Sequence, residues 1–318
     1  MLAVLLAAPA ASAQAPALEA PPPLSTDSAA YGELGIRVAI LLQIRADFPD
    51  SESESSTFFL RKAEVGLRAR VNDHTHILVE LDPVNPEDPF RRTYLRLSHL
   101  PRLHFKLGME KAPVGLEELL SSARQPFVDR SAVNDRFAMA EEVGAHLESR
   151  WDHWLFQLSV TNGGRRLLRD DNERKDVSAR VVWAPVEWGS VGLSRLSGDA
   201  GPQDQERNRL NVELKLGSEA SGMQGEFYRA TDGAVQSSAF YVAAFRTMSA
   251  GIGQVQPAIR YEHIERSDAE RQDEMRLLTF GMGIFLDGHR SKLQASYQAD
   301  LRSGFAEGGL RIQYQAEF

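Results

Sequence analysis

Over its last nine residues the chain alternates: Leu310, Ile312, Tyr314, Ala316 and Phe318 fall on one side, and Arg311, Gln313, Gln315 and Glu317 on the other. A side-chain period of two is that of a β-strand with one apolar and one polar face. The same alternation recurs from Gly35 onward, most clearly over 57–71, 90–99, 103–110, 142–151, 154–161, 207–216, 275–286, 290–301 and 306–318. Shorter candidates lie at 35–47, 75–82, 177–184, 188–197, 223–231, 238–247 and 255–266. Roughly sixteen such segments match the strand number of porin-type barrels. Tight connections at Leu100-Pro101-Arg102, Asp152-His153 and Asp287-Gly288-His289 alternate with long polar ones at Pro49–Ser56, Gly163–Lys175, Gly198–Glu206 and Ser267–Glu274. That rhythm predicts up-and-down antiparallel topology.

The alternation also sorts side chains into two faces. In 57–71, Phe59, Val65, Leu67 and Val71 share one side, and Lys62, Glu64, Arg68 and Arg70 the other. In 103–110, Leu103, Phe105, Leu107 and Met109 oppose His104, Lys106 and Glu110. A soluble β-sandwich alternates in the same way. Here, however, Leu, Phe and Val run to the strand ends on the apolar side, which favours an all-β transmembrane barrel whose outer face meets lipid. Trp151, Trp154, Trp183 and Trp188 fall in two pairs at hairpin ends, where an aromatic girdle belongs. A terminal Phe318 fits the same girdle.

Composition narrows the class further. Mean hydropathy is −0.33, which a barrel shares with soluble proteins because half of each strand faces water. Beyond the N-terminus no apolar run is long enough for a transmembrane helix. With no Cys, disulfides and thiol chemistry are excluded. A formal net charge of −8 argues against nucleic acid as a partner. At the N-terminus, apolar Met1–Ala8 and the Ala11-Ser12-Ala13 cleavage pattern predict a signal peptide over 1–13, although no Lys or Arg precedes the apolar run. Residues 14–33, with Pro21-Pro22-Pro23, read as a periplasmic spacer, leaving 34–318 for the barrel. Export with a barrel pattern points to the outer membrane of a Gram-negative bacterium.

One stretch breaks the rhythm. Between about Lys111 and Ala140 no strand alternates; Gly115-Leu116-Glu117-Glu118-Leu119-Leu120 has helical spacing, and a polar, Arg-bearing stretch follows to Arg136. A barrel loop this long is usually functional. It is expected to fold into the lumen over 111–137 and narrow it.

The insert carries a resemblance. Gly108, Lys111, Pro113, Gly115 and Glu117, followed by Phe127, Asp129 and Arg130-Ser131, are similar to the G-x-x-K-x-P-x-G-x-E, aromatic, acid, Arg-Ser pattern of the phosphate-selective porin O and P family. Looser likeness runs over Phe58–Arg70, Gly144–Gly163, Ala258–Glu265 and the terminal strands. The resemblance implies a trimeric, 16-stranded outer-membrane barrel in which this insert forms the constriction, and it implies phosphate as the leading solute.

Basic groups at the insert, Lys111, Arg124, Arg130 and Arg136, are the candidate solute contacts, with Glu117, Glu118, Asp129 and Asp135 placed to neutralise them. The competing reading is that Arg130 and Glu117 lock the insert to the wall. On the strands, Lys62, Arg68, Arg70 and Lys106 join a wider inward basic set that includes Arg37, Arg45, Arg92, Arg180, Arg207, Arg209, Lys215, Arg260 and Arg311. It outnumbers the inward acids Glu64, Glu80, Asp82, Glu110, Glu142, Glu148, Glu213, Glu262 and Glu317, so small phosphate-like anions are the expected solutes. The alternatives are a general non-selective pore and a plugged structural or adhesive barrel. Asp170-Asp171-Asn172-Glu173 lacks EF-hand spacing, and His74 with His76 lacks a third ligand, so neither predicts a metal site. No nucleophile elbow, P-loop, dinucleotide glycine pattern or HExxH calls for an enzyme or a cofactor.

Overall fold

The computed structural model describes residues 35–50, 55–164, 172–200, 205–251, 253–267, 272–303 and 308–318. The expected signal peptide and spacer lie outside them. Strands β1 (Ile36–Pro49), β2 (Thr57–Asn72), β3 (Thr75–Leu81), β4 (Phe90–Leu100) and β5 (Leu103–Lys111) precede the insert. Strands β6 (Glu141–Trp151), β7 (Trp154–Thr161), β8 (Asp176–Val186), β9 (Gly189–Ala200), β10 (Gln205–Gly217) and β11 (Ser221–Asp232) follow it. Then come β12 (Val235–Arg246), β13 (Met248–Ala250), β14 (Gly253–Ser267), β15 (Gln272–Asp287), β16 (Ser291–Asp300) and β17 (Gly308–Glu317).

Every strand pairs antiparallel with its neighbours, and β1 pairs with β17 from Leu41↔Glu317 to Pro49↔Gly309, which closes the sheet. Sixteen strands form the ring, and the three-residue β13 lies outside it, paired with β14 alone. Closure leaves no unpaired edge, the condition for placing a sheet in hydrocarbon. The expected sixteen-strand barrel is what the chain forms. The hairpins β9–β10 and β14–β15 run further than the polarity of their tips suggests, to Ala200↔Gln205 and Ser267↔Gln272. Much of what reads as loop at Gly198–Glu206 and Ser267–Glu274 is therefore strand.

The two faces separate as the alternation predicts. On β17, Gln313 and Gln315 are buried while Leu310 and Tyr314 are exposed, as is Phe318 just past its end. Exposed Leu158, Val160, Leu193, Val212, Leu214, Phe227, Val242, Ile259 and Phe280 line the outside, where lipid rather than water is their solvent. Trp154 stacks on Trp183 at 6.0 Å across β7–β8, and Trp151 pairs with Trp154, so these three form one exposed aromatic patch at the short-turn end.

One face assignment is corrected. The β1–β2 register slips between Gln43 and Ile44: Gln43 pairs with Lys62 but Ile44 with Leu60, leaving Arg61 as a bulged residue. A bulge reverses side-chain parity beyond it. Phe59 therefore lies on the polar face, 5.8 Å from the Arg45 guanidinium, while Phe58 and Leu60 take the outside.

Candidate constriction and its charge

The insert holds α1 (Leu116–Leu119), a 3-10 turn over Ser122–Arg124, and α2 (Ala132–Phe137). α2 starts where Ser131 Oγ accepts the Asn134 N–H at 2.9 Å, an N-cap the alternation pattern could not signal. Helices of four and six residues do not hold themselves. Inward side chains of the strands hold these.

Glu226 on β11 accepts the N–H groups of Leu116 and Glu117 at 2.9 and 2.8 Å, and receives the Tyr241 hydroxyl at 2.9 Å. Glu262 on β14 accepts the Ala132 N–H at 2.6 Å. Each carboxylate thus satisfies orphan donors of a helix start. Arg260, almost fully buried, pairs with Glu262 at 2.8 Å, approaches Glu117 at 3.5 Å, and donates to the Asp129 and Arg130 carbonyls at 3.0 and 3.2 Å. It also covers the Phe127 ring at 4.6 Å, and Phe127 in turn packs where Gly281 leaves room on β15. On β16, Lys292 and Gln294 donate to the Gln125 carbonyl at 3.2 and 2.9 Å, and Ser296 accepts the Val128 N–H at 3.1 Å.

Further wall contacts come from β9, where Ser194 Oγ accepts the Gly115 N–H, from β10 and β17, where Arg209 and Gln315 donate to the Phe137 and Ala123 carbonyls, and from β1 and β2, where Arg45 and Arg61 face Asp129. The arc from β6 to β8 instead helps line a cavity of about 560 Å³ between α1 and the wall.

Burial pushes the Glu117 carboxyl up to about 7, against the opposing pull of Arg260 and of the Ser131 hydroxyl that donates to it. Burial likewise raises Asp135 to about 6, with Arg130 opposing. Burial pulls Asp129 the same way, but the bonds from Arg45 outweigh it and hold this carboxyl below its usual range.

Three guanidinium groups surround Asp129, and Asp47 shares Arg45 with it at 2.6 Å. Arg45 grips Asp129 bidentately, with one bond at 2.9 Å, Arg311 reaches it at 3.2 Å, and Arg61 stands 3.9 Å away. Elsewhere four wall cations have their own acids: Arg92–Glu80 at 2.7 Å, Arg180–Glu213 at 2.5 Å, Arg207–Asp176 at 2.5 Å and Arg150–Glu148 at 3.0 Å.

The residues singled out from sequence do not form one cluster. Lys111 donates to the Glu118 and Leu120 carbonyls and stands 3.5 Å from the Glu118 carboxylate. Arg130 donates to the Glu117 and Leu120 carbonyls at 3.1 and 2.9 Å. Both bind the C-terminal end of α1, so Arg130 closes the insert on itself rather than on the wall, while Glu117 meets the wall through Arg260. Lys62 pairs with Glu64 at 2.7 Å, and Lys106 with Glu110 at 2.5 Å beneath the Tyr94 ring. Arg68 and Arg70 are half-buried toward the Asn72 end of β2. Arg124 and Arg136 are exposed, with no ion pair among the described residues.

Sequence reasoning missed Arg61, which the bulge turns inward, and Glu226, whose carboxylate anchors α1. Asp170 and Asp171 lie outside the described residues. One described trio of possible cation ligands, His263, Glu265 and Glu274, has donor atoms within 4.8 Å, but Arg276 already occupies Glu274 at 2.6 Å.

A closed antiparallel sheet, apolar outside and polar inside, with an insert bonded to its inward side chains, defines an outer-membrane β-barrel. Solved barrels share the fold. OmpT, an outer membrane protein of Vibrio cholerae (in-vitro folded, trimer form), aligns at 11% identity and TM-score 0.65 over 89% of this chain and 99% of that one. Salmonella typhi OmpF in complex with daunomycin aligns at 10% identity and TM-score 0.67, over 89% and 97% of the chains. The anion-selective porin from Comamonas acidovorans gives 10% and 0.60, over 89% and 99%. No curated protein sequence matches the chain. The chain belongs to the phosphate-selective porin O and P family, whose model matches residues 38–224. It is an outer-membrane porin.

Proposed function

We propose that this porin passes small anions, phosphate-like oxyanions among them, by passive diffusion past an internal constriction formed by residues 111–137. The observation that carries this reading is the set of three guanidinium groups, Arg45, Arg61 and Arg311, gathered around Asp129, with Asp47 on Arg45 as the second carboxylate, so that three cations face two acids. Such an excess raises local anion concentration, and the planar guanidinium fork suits oxyanions. Arg124 and Arg136, without an ion pair among the described residues, extend the positive field along the insert. By family and by analogy with the trimeric neighbour, the assembly is a homotrimer exported by a signal peptide over 1–13, with 14–33 as spacer and Gram-negative outer-membrane lipid around the barrel.

Because Arg92, Arg150, Arg180 and Arg207 are paired with acids, the alternative of a general pore predicts nearly equal permeability for both ion signs. Single-channel conductance across a KCl gradient separates the two. An anion-selective reversal potential with block by added phosphate supports the proposal; a reversal potential near zero favours the general pore. No conductance favours a plugged structural barrel.

A further inference from the structure

On the two strands that flank β10, the apolar band of the outer face ends on arginine. Along β9 the outward positions run Val191, Leu193, Arg195 and Ser197, and along β11 they run Met223, Gly225, Phe227, Arg229 and Thr231. Arg195 and Arg229 are both exposed, at the step from apolar to polar on the long-connection side of the band. On β10 the same step falls one outward position later, between Leu210 and Asn208. In a barrel this step marks the level at which hydrocarbon gives way to lipid headgroups.

The two arginines share one register. Leu210 pairs with Arg195 on one side and with Arg229 on the other. Two strand spacings put their Cα atoms about 10 Å apart, a gap that two long guanidinium arms close above the Leu210 side chain. Next toward the short-turn end, Val212 pairs with Leu193 and with Phe227, and all three are exposed. One step further, Gly225 lies between Leu214 and Val242 and leaves a furrow in the aliphatic surface.

Among the described residues neither arginine has an ion pair or a hydrogen bond. The acids in the neighbourhood are distant or engaged. Asp199 lies four residues beyond Arg195, about 13 Å along β9, and is held by Arg174 at 3.1 Å. Glu206 is as far from Leu210 along β10 and accepts the Asn208 amide. Glu265 lies two strands from Arg229 on the side away from Leu210, where it accepts the Ser238 hydroxyl at 3.5 Å. A cation without a counter-charge on a lipid-facing surface is costly in hydrocarbon and is tolerated at the headgroup level, where anionic groups meet it.

We infer that Arg195 and Arg229 form an external site for a membrane lipid with an anionic phosphate headgroup, the phosphate held over Leu210 and the acyl chains laid along Leu193, Val212 and Phe227. Guanidinium forks match phosphate oxygens, and the exposed aliphatics match the chains. A zwitterionic headgroup brings its own cation and gains less. Free phosphate has no chain to lay on the aliphatic surface. The site is outside the barrel, so it rests on the barrel's place in a membrane and not on what passes through the lumen.

The test uses the full chain purified in non-ionic detergent and titrated with dioleoyl phosphatidic acid in mixed micelles, with retained lipid counted by native mass spectrometry. Dioleoyl phosphatidylcholine and inorganic phosphate are the comparisons. Phosphatidic acid is expected to be retained in preference to phosphatidylcholine, and inorganic phosphate is expected not to displace it. Arg195→Gln and Arg229→Gln are each expected to weaken retention about fivefold, and together about 25-fold, the scale of one basic group each at an anionic membrane surface. Arg276→Gln, on β15 and paired with Glu274, is expected to leave retention unchanged. Heat-modifiable migration verifies that the variants fold. Equal retention of phosphatidylcholine, displacement by inorganic phosphate, or a double variant indistinguishable from wild type would each overturn the inference. So would a wild type that retains no lipid while the double variant loses an oligomer, which would assign the pair to a contact between copies. Conductance in bilayers tests the channel reading separately, and neither result decides the other.

Discussion

Arg45 on β1 and Asp129 in the insert meet across 84 positions of sequence in a two-pronged guanidinium–carboxylate contact, one prong measuring 2.9 Å. The contact ties the insert to the strand that closes the barrel. It also consumes the one carboxylate that three arginines share.

Removing that carboxylate is predicted to sharpen selectivity. Asp129→Asn leaves Arg61 and Arg311 uncompensated and Arg45 with Asp47 alone at 2.6 Å, and should raise the anion-to-cation permeability ratio about two- to fivefold, the effect of one charge in a low-dielectric channel. Arg61→Gln should lower it. Reversal potentials for both variants give the answer, and shifts of the same sign in both would contradict the assignment.

Arg260 is the buried hub of the insert, and Arg260→Met should undock it. The change leaves Glu117 and Glu262 without their cation and frees the Asp129 and Arg130 carbonyls. Breaking such a buried pair costs about 3 kcal/mol or more. The closed sheet is expected to survive, so heat-modifiable migration stays normal while protease cuts appear between 112 and 140.

Gly115 tests the entry to α1 by shape alone. Its φ is +84°, a left-handed value, and a Cβ there would collide with Tyr228 Oη and fall 2.8 Å from Glu226 Oε2. Gly115→Ala should therefore displace α1 from the Glu226 carboxylate. Protection of the Leu116 and Glu117 amides against hydrogen exchange is expected to drop while strand amides keep theirs.

The Glu117 carboxyl gives docking a pH dependence. Its docked value of about 7 lies above the ordinary 4.5, so the docked insert retains a proton that a free insert gives up. This contribution is complete below pH 4.5 and is lost as pH rises through 7, where an ionised Glu117 sits between Arg260 and the like-charged Glu226. Protease susceptibility of the insert should increase from pH 6 to 8, and Glu117→Gln should flatten that increase. Asp129 acts oppositely: held below 3.8, it sustains the Arg45 contact through neutral pH and loses it only in acid.

Much of this was legible from alternation. A period of two located the ring strands, and the silence between Lys111 and Ala140 located the insert. What alternation could not carry was a slip of one residue: the bulge at Arg61 puts Phe59 beside Arg45 and brings a third arginine to Asp129. The roles of Lys111 and Arg130 were hidden for a different reason. They bind main-chain carbonyls at the end of α1, and carbonyls carry no residue identity. The cavity was hidden too, because Leu155 and Val182 look like any other strand aliphatics until their inward direction is known.

The insert is specified early in the chain, yet its seat is written mostly later, in Glu226, Arg260, Lys292 and Gln315, together with Arg45 near the start. No subset of hairpins presents all of these at once. They stand together in full only where β17 meets β1, so the complete seat exists only in the closed ring. A seated insert is in that sense a record of completed assembly: a barrel closed out of register would lack the socket and leave the segment hanging.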